Sequence, residues 1–256
     1  MKKLMIILWL LPCISHIAAA QNARFPTAGV IEFERNNNMY AIIGKRVKQD
    51  DTYGQKFFES YKKTNPQFKI LKSTLYFSKD KTLFKPEEDT SPSNSYMAQG
   101  PDVTQINTIY TDLTAQMYST RKLVFEEKFI VKDSTRKINW KLSNETREIA
   151  GYTCRRANAI VMDSIYVVAF YTDQIPVSGG PESFSGLPGM ILGLALPHDH
   201  ISWFAKTVTD KTVDPSLIVP PVKGKPTNNK GMLVIINEAM KDWGSYGKYY
   251  LKALML

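Results

Sequence analysis

Five consecutive segments between residues 108 and 172 decide the expected fold. They read TIYTDLTAQMYSTR (108–121), KLVFEEKFIVK (122–132), RKINWKL (136–142), YTCRRANAIVM (152–162) and SIYVVAFYT (164–172). Each segment is rich in β-branched or aromatic residues and has a turn nearby, which is typical of strands. A long run of consecutive strands favours an antiparallel sheet. We therefore expect a mainly β (α+β) protein with a single curved, mostly antiparallel sheet or half-barrel and a few covering helices.

The segments on either side of this run support the same fold. Residues 28–44 alternate in polarity, with Ile31, Phe33 and Arg35 on one side, so they predict a strand, an Asn-rich turn and a second strand. The remaining predictions are a hairpin over 67–84, strands in MILGLAL and ISWFAKTVT, helices over 51–64 and 227–243, and a final strand in YYLKALML. Residues 85–106 are rich in Pro, Ser, Asp and Gly and predict a loop or mobile flap within one domain over 21–256.

The first 20 residues have the layout of a secretory signal peptide. Lys2 and Lys3 precede an apolar stretch over residues 5–14, and Ala18-Ala19-Ala20 forms a cleavage site before Gln21. We expect export to the periplasm or to the periplasmic face of the outer membrane. Cys13 leaves lipidation open, although Pro12 stands where a lipoprotein signal normally has a small residue.

Cysteine content and charge indicate which class of exported protein this is. Of two cysteines, only Cys154 lies outside the expected signal peptide, so the exported fold has no internal disulfide and depends on its core. Removal of Lys2 and Lys3 lowers the net charge from +9 to +7, and the basic residues are spread thinly along the chain. This pattern predicts a solvated surface or attraction to an anionic partner, and it gives no indication of nucleic-acid binding.

The stretch SFSGLPGMILGL (183–194) holds the main candidate binding site, which comprises Gly186, Leu187, Pro188, Gly189 and Met190. Pro188 fixes φ near −65°, and Gly189 supplies the positive φ of a type II turn. The turn is either a packed corner between two strands or an exposed apolar recognition loop. It contains no acid, base or nucleophile, so no catalytic residue is predicted here.

Three ordered elements resemble the GLPGLI family of exported Bacteroidetes proteins. They are Gly-Tyr-Thr-Cys at 151–154, Ile-Pro-Val-Ser-Gly-Gly-Pro at 175–181 and Gly-Leu-Pro-Gly-Met-Ile at 186–191, where Met190 replaces the Leu of the family name. The resemblance implies a β-rich fold and a periplasmic or outer-membrane location. It also implies a functional link to TonB-dependent outer-membrane receptors, whose genes often lie beside those of the family. It supplies no catalytic residues.

His198 and His200 form the candidate metal site. If the segment is extended, their i, i+2 spacing places both imidazoles on one face, which suits two ligands of one transition metal. A solvated hairpin tip is the alternative. Cys154 lies in an alternating strand and is expected to be a buried structural thiol, since neither histidine is near it in sequence.

The functional hypotheses follow from these features. We expect a non-enzymatic periplasmic binding or accessory protein that works with an outer-membrane partner and has no resident cofactor. The Gly-rich turn and nearby aromatics such as Trp203 would form its contact surface. The alternatives are carriage of a lipid or apolar peptide in a half-barrel groove and metal handling through His198 and His200.

Overall fold

The computed structural model describes residues 25–89, 95, 98–104 and 107–256, with the backbone only at residues 245, 246, 248 and 249. The expected signal peptide, including Cys13, lies outside the described residues. So does most of the Ser-rich part of the predicted loop over 85–106.

Twelve strands of the described chain form one open sheet. They are β1 Ala28–Asn38, β2 Phe68–Ser78, β3 Lys81–Pro86, β4 Thr108–Asp112, β5 Met117–Val124, β6 Glu127–Ser134, β7 Lys141–Ile149, β8 Tyr152–Val161, β9 Ile165–Thr172, β10 Met190–Leu196, β11 Ile201–Asp210 and β12 Lys225–Thr227. Their order is β12-β6-β5-β4-β3-β2-β1-β11-β10-β9-β8-β7. All neighbours are antiparallel except β12 and β6, so the sheet is mixed. The predicted mainly β, mostly antiparallel fold is confirmed.

Five helices accompany the sheet in the described residues. They are α1 Met39–Arg46, α2 Thr52–Thr64, α3 Pro101–Thr104, α4 Asn229–Ala239 and α5 Gly244–Met255, and two short 3-10 helices lie at Pro197–Asp199 and Pro215–Leu217. In this part of the chain, no helix combines the length and the apolar character needed to cross a membrane. The predicted hairpin over 67–84 and the helix over 51–64 are confirmed as β2–β3 and α2.

The predicted strand after the Asn-rich segment is wrong. The asparagines at 36–38 continue β1, and the chain then enters α1 instead of a second strand. Asn38 caps this helix, because its side-chain oxygen accepts a hydrogen bond from the Ala41 N–H. Met39, Ile42 and Ile43 are buried at i, i+3 and i+4, so one helix face packs on the core. An apolar run this short fits either a strand or a helix, and the cap decides between them here.

The predicted final strand is also wrong, because residues 249–255 belong to α5 and Leu256 is its C-cap. Leu254 is buried with Met232 and Ile236 of α4 against β5 and β6. The predicted helix over 227–243 is confirmed in its central part by α4. In the middle of the chain, residues 108–121 divide into β4 and β5. The strand predicted over 136–142 instead begins at Lys141 and continues to Ile149.

One face of the sheet carries the main core. Ile31, Phe33, Leu75 and Phe84 lie on it, and buried residues of α1, Tyr61 of α2 and the segment over residues 173–189 cover it. This connection between β9 and β10 contains the Gly-Leu-Pro-Gly turn. Among the described residues, the protein's own chain therefore covers most of this apolar face.

Candidate functional site

The Gly-Leu-Pro-Gly turn is a packed corner at its apolar positions. Leu187 and Met190 are fully buried in the main core, whereas Gly186 and Pro188 are exposed. The Gly189 N–H donates to the Leu187 carbonyl (2.8 Å), and the Met190 N–H donates to Ile175 instead. The predicted type II turn is wrong, because Gly189 has a φ of 146° where a type II turn needs a φ of about +80°. The observed i to i+2 bond describes a γ-turn centred on Pro188.

Side chains from distant segments tie this connection to the rest of the fold. The indole N–H of Trp140 donates to the Ser185 carbonyl (3.0 Å), and the Ser183 hydroxyl donates to the Leu256 carbonyl (3.0 Å). The Ser178 hydroxyl oxygen accepts a hydrogen bond from the Gly186 N–H (3.1 Å). These contacts hold the connection in one conformation above the sheet, and Glu182 lies at its centre.

Glu182 is a strained acidic residue. Its φ of 53° lies in the left-handed region, which a residue with a Cβ adopts rarely. Its carboxylate accepts a hydrogen bond from the Asn107 side-chain amide (3.2 Å). Burial raises the pKa of Glu182, although Arg35, Asn107 and Lys122 act in the opposite direction. A strained backbone that carries a desolvated acid is typical of functional sites.

Arg35 faces Glu182 from the sheet. Its guanidinium lies over the Trp203 ring, 4.9 Å from the ring centroid, and the two residues are register neighbours on β1 and β11. Its Nε donates to the Asn37 side-chain oxygen (3.0 Å), and one terminal nitrogen donates to the Asp102 carbonyl. Both partners are neutral oxygens. Burial lowers the pKa of Arg35, while the charges of Glu182 and Asp102 act in the opposite direction.

An open cleft of about 90 Å³ separates these groups; we call it the Arg35 cleft. Its wall includes Arg35, Ser73, Phe84, Pro86, Glu182 and Trp203. Ser73 is only 4% exposed, and its hydroxyl has no hydrogen-bond partner among the described residues. Lys72, Glu87, Asp89 and Thr104 lie at the wall as well, and Asp89 forms an ion pair with Lys69. The cleft thus combines two cations, three carboxylates, two hydroxyls and apolar side chains, which is a composition typical of small-ligand sites.

Two further cations belong to this region: Lys122 interacts electrostatically with Glu182, and Arg136 with Lys122. Lys122 is 5% exposed, and its amine donates to the Leu254 carbonyl (2.7 Å). Burial lowers the pKa of Lys122 to about 8, and Glu182 partly offsets this effect. Arg136 donates to the Met255 carbonyl (3.1 Å), and burial lowers its pKa too. Arg35 and Lys122 therefore both interact electrostatically with Glu182.

The two histidines of the metal hypothesis lie in the turn between β10 and β11, and a metal site there stays a prediction. His198 lies in a 3-10 helix and His200 adopts a left-handed backbone with φ 58°, so the segment is not extended. Both residues are exposed, and the His198 ring lies 6.1 Å from the Tyr166 ring. Within the described ranges, no cluster of three or more His, Cys, Asp or Glu side chains suits a metal ion. The hypothesis lacks a third ligand in this part of the chain.

Cys154 is a buried thiol, as expected. It is fully buried on β8, and burial together with Glu148 raises its pKa to about 12. The thiolate needed for nucleophilic chemistry is therefore strongly disfavoured.

A second concave surface lies near the ends of α1 and α5. Phe125 and Trp243 are 48% and 43% exposed and make an edge-to-face contact with 5.5 Å between ring centroids. Trp243 contacts Tyr250 in the same way (6.1 Å), and the Arg46 guanidinium lies over the Tyr250 ring (5.8 Å). We call this surface, with a volume of about 600 Å³, the aromatic groove. Arg46 forms an ion pair with Asp102, whose carbonyl accepts from Arg35, so the two sites share α3.

The fold and these sites define a mainly β protein with one large open sheet and a polar cleft beneath its β9–β10 connection. A family model described as a protein of unknown function (Porph_ging) matches residues 159–193. This stretch runs from the end of β8 into β10 and includes Glu182 and the Gly-Leu-Pro-Gly turn. No curated protein matches the chain.

Two solved structures of PNGF-II, in space groups C2 and P21, are similar to the chain. They are 15% and 18% identical to it, with TM-scores of 0.50 and 0.49, and each match covers 78% of this chain. The matches cover 31% and 32% of the PNGF-II chain, so the chain spans about a third of its length. At this identity the likeness concerns the fold alone.

Of the predicted binding residues, Trp203 alone lines the Arg35 cleft. Sequence reasoning missed Arg35 and Glu182 as site residues. A signal for Arg35 was present, because it shares the inward side of an alternating strand with Ile31 and Phe33. A charged residue in the apolar register of a strand indicates a buried polar site. Glu182 gave no comparable signal, since its position depends on the path of an irregular connection.

Proposed function

We propose that the protein is a non-enzymatic ligand-binding protein of the bacterial cell envelope and that the Arg35 cleft holds its ligand. One observation carries the proposal: a buried guanidinium without a described ion pair faces a strained acid across an open cleft. Burial of such groups is unfavourable to folding unless it is compensated. Ligand binding supplies a reason for this arrangement, and the described residues of the cleft wall include no histidine and no cysteine.

Native mass spectrometry tests this proposal. The protein is extracted gently from its own cell envelope and compared with a denatured control. We expect a small-molecule adduct that disappears on denaturation and is absent from an Arg35→Met variant. The matched control is Arg155→Met, because Arg155 is exposed on β8. The proposal would be contradicted if no sample showed an adduct and no envelope extract increased the stability of the protein.

Location and partner form the second part of the proposal. The signal-peptide pattern and the resemblance to the GLPGLI family support export to the periplasm and work beside a TonB-dependent outer-membrane receptor. The burial of Leu187 and Met190 moves the expected contact surface away from the Gly-Leu-Pro-Gly turn. The aromatic groove is the better candidate, since it exposes Phe125 and Trp243 together. Exposed aromatic patches mark interaction sites more often than isolated apolar residues do.

Site-specific photo-crosslinking in the native envelope separates the groove's two roles. A crosslinking residue replaces Trp243, and the control replaces Ile160, which is 65% exposed on β8. Crosslinks from position 243 to an outer-membrane protein would support the accessory role. Crosslinks to lipid or to a bound peptide would instead favour carriage of an apolar ligand, which the 600 Å³ volume also accommodates.

A further inference from the structure

The charge of Arg35 is compensated incompletely by the described residues. Its two hydrogen bonds go to the Asn37 amide oxygen and the Asp102 carbonyl, which are neutral acceptors. The nearby Asp102 carboxylate is engaged with Arg46, and the described part of the chain gives Arg35 no ion pair. A buried guanidinium with neutral acceptors retains donors and charge for an external anion.

A second donor lies in the same wall. Ser73 lies in β2 beside β1, where it is the register neighbour of Phe33. Its hydroxyl is buried and has no partner among the described residues, which is unfavourable for a polar group unless a ligand or water satisfies it. A hydroxyl and a guanidinium in one small cleft form a donor set that suits a planar, two-oxygen acceptor.

The size and walls of the cleft limit the class of ligand that fits. A volume of about 90 Å³ exceeds the roughly 10–15 Å³ that one water needs, but it is well below the roughly 300 Å³ of drug-sized pockets. The apolar part of the wall comes from Leu71, Phe84 and Pro86. The cleft therefore suits the end group of a molecule, with a short apolar portion behind a compact charged head.

We propose that the Arg35 cleft binds a carboxylate group attached to a short apolar stem, with Arg35 and Ser73 as its donors. This inference rests on the proposed function, whose ligand class it specifies. Glu182 also lines the cleft and is available to accept a hydrogen bond from any donor that the stem carries. A free organic acid and the C-terminal residue of a peptide present the same chemistry, so both count as sources.

Nuclear magnetic resonance of the tryptophan indole N–H groups provides the assay, because Trp203 lines the cleft directly. The protein is titrated with propionate and with propionamide, which has the same shape without the charge. We expect propionate to shift the Trp203 signal and propionamide to have no effect at the same concentration. A short peptide with a free C-terminus, its amidated form and inorganic phosphate complete the set. If the peptide with a free C-terminus binds more tightly than propionate, the source of the carboxylate is a chain end. If it binds equally or more weakly, the source is a free organic acid.

Three variants locate the donors. Arg35→Met is expected to weaken propionate binding by about 100-fold or more, since it removes a desolvated charge partner. Ser73→Ala is expected to weaken it by about 10-fold, which corresponds to one hydrogen bond to a charged group. Arg155→Met, on the exposed side of β8, should leave the affinity unchanged. Thermal unfolding of each variant establishes that the fold persists.

Two results would overturn the inference in different ways. If propionamide binds as well as propionate, or phosphate binds more tightly than every carboxylate, the cleft is a ligand site of another chemistry and the proposed function stands. If none of these probes and no envelope extract shifts the Trp203 signal, the inference and the proposed function fail together.

Discussion

Gly189 offers the sharpest test of the corner that carries the candidate site, through the substitution Gly189→Ala. Its φ is 146°, a region that is open to glycine and strained for every residue with a Cβ. A Cβ built there lies 2.1 Å from the Thr172 carbonyl oxygen and 2.7 Å from its carbon. Both contacts are with backbone, so no side-chain rotation relieves them. Thr172 pairs with Met190 where β9 and β10 meet, so the two strand ends must separate.

The magnitude follows from these two effects. Backbone strain of this kind is worth about 1–3 kcal/mol. Separation of the strand ends removes at least one ladder hydrogen bond, worth about 1 kcal/mol. We therefore expect the free energy of unfolding to fall by about 3 kcal/mol. At roughly 2–4 °C per kcal/mol for a domain of this size, the melting temperature falls by about 6–12 °C.

Differential scanning calorimetry and urea denaturation measure this change, with Gly151→Ala as the matched control. Gly151 also has a positive φ, 83°, but nothing lies within 4 Å of its Cβ position. The control keeps the strain and lacks the clash, so we expect a loss of about 1 kcal/mol. Equal losses for the two variants would refute the close packing of Gly189 against Thr172.

Three further predictions concern the buried titratable groups. Iodoacetamide at pH 8 should leave Cys154 unmodified in the folded protein and alkylate it quickly in urea, because burial raises the pKa of the thiol to about 12. Rapid labelling of the native protein would contradict this prediction. Lys122 has a pKa of about 8 in the folded protein, against an ordinary value of 10.5. Between these pH values the unfolded chain holds one more proton, so the free energy of unfolding rises with pH. Urea titrations at pH 7.5 and 10 should show this rise in the parent and not in Lys122→Met, and the same rise in both proteins would exclude the effect. Glu182 has a raised pKa in the folded protein, so the folded state holds the extra proton and the free energy of unfolding falls as the pH rises above the ordinary range of a carboxyl group. Glu182→Gln should therefore be more stable than the parent at pH 7 but not at pH 4. A gain in stability that does not depend on pH would assign the effect to packing instead.

The strands were predictable because their alternation is a local property. The segments that form β1, β2, β8, β9, β10 and β11 each show β-branched residues or a period of two, and the structure places strands there. The failures lie where a short apolar run fits two periods. MYAIIG after the asparagines became α1 through the Asn38 cap, and YYLKALML became α5 through packing of Leu254 on α4. Both outcomes depend on contacts beyond the segment itself.

The candidate site was less predictable, since its parts come from separate strands and an irregular connection. Trp203 was recognised as an aromatic of interest, and its neighbour Arg35 lies opposite it only through the pairing of β1 with β11. That register joins residues 168 positions apart, and no local pattern encodes it. The order of β4 and β5 in the sheet brings Asn107 and Lys122 close to Glu182. The predicted strands alone do not determine that order.

The Gly-Leu-Pro-Gly turn and the Arg35 cleft form one structural unit. Gly180 approaches Ile191 and the Phe184 carbonyl so closely that a Cβ would lie 2.8 and 2.9 Å from them, and Gly189 packs against Thr172. Between these two contacts the connection has little freedom, so Glu182 is held in its left-handed conformation opposite Arg35. A residue in that conformation would otherwise relax, because the strain is comparable to a single hydrogen bond. The turn therefore acts on the proposed ligand site through position, because it keeps Glu182 in place opposite Arg35.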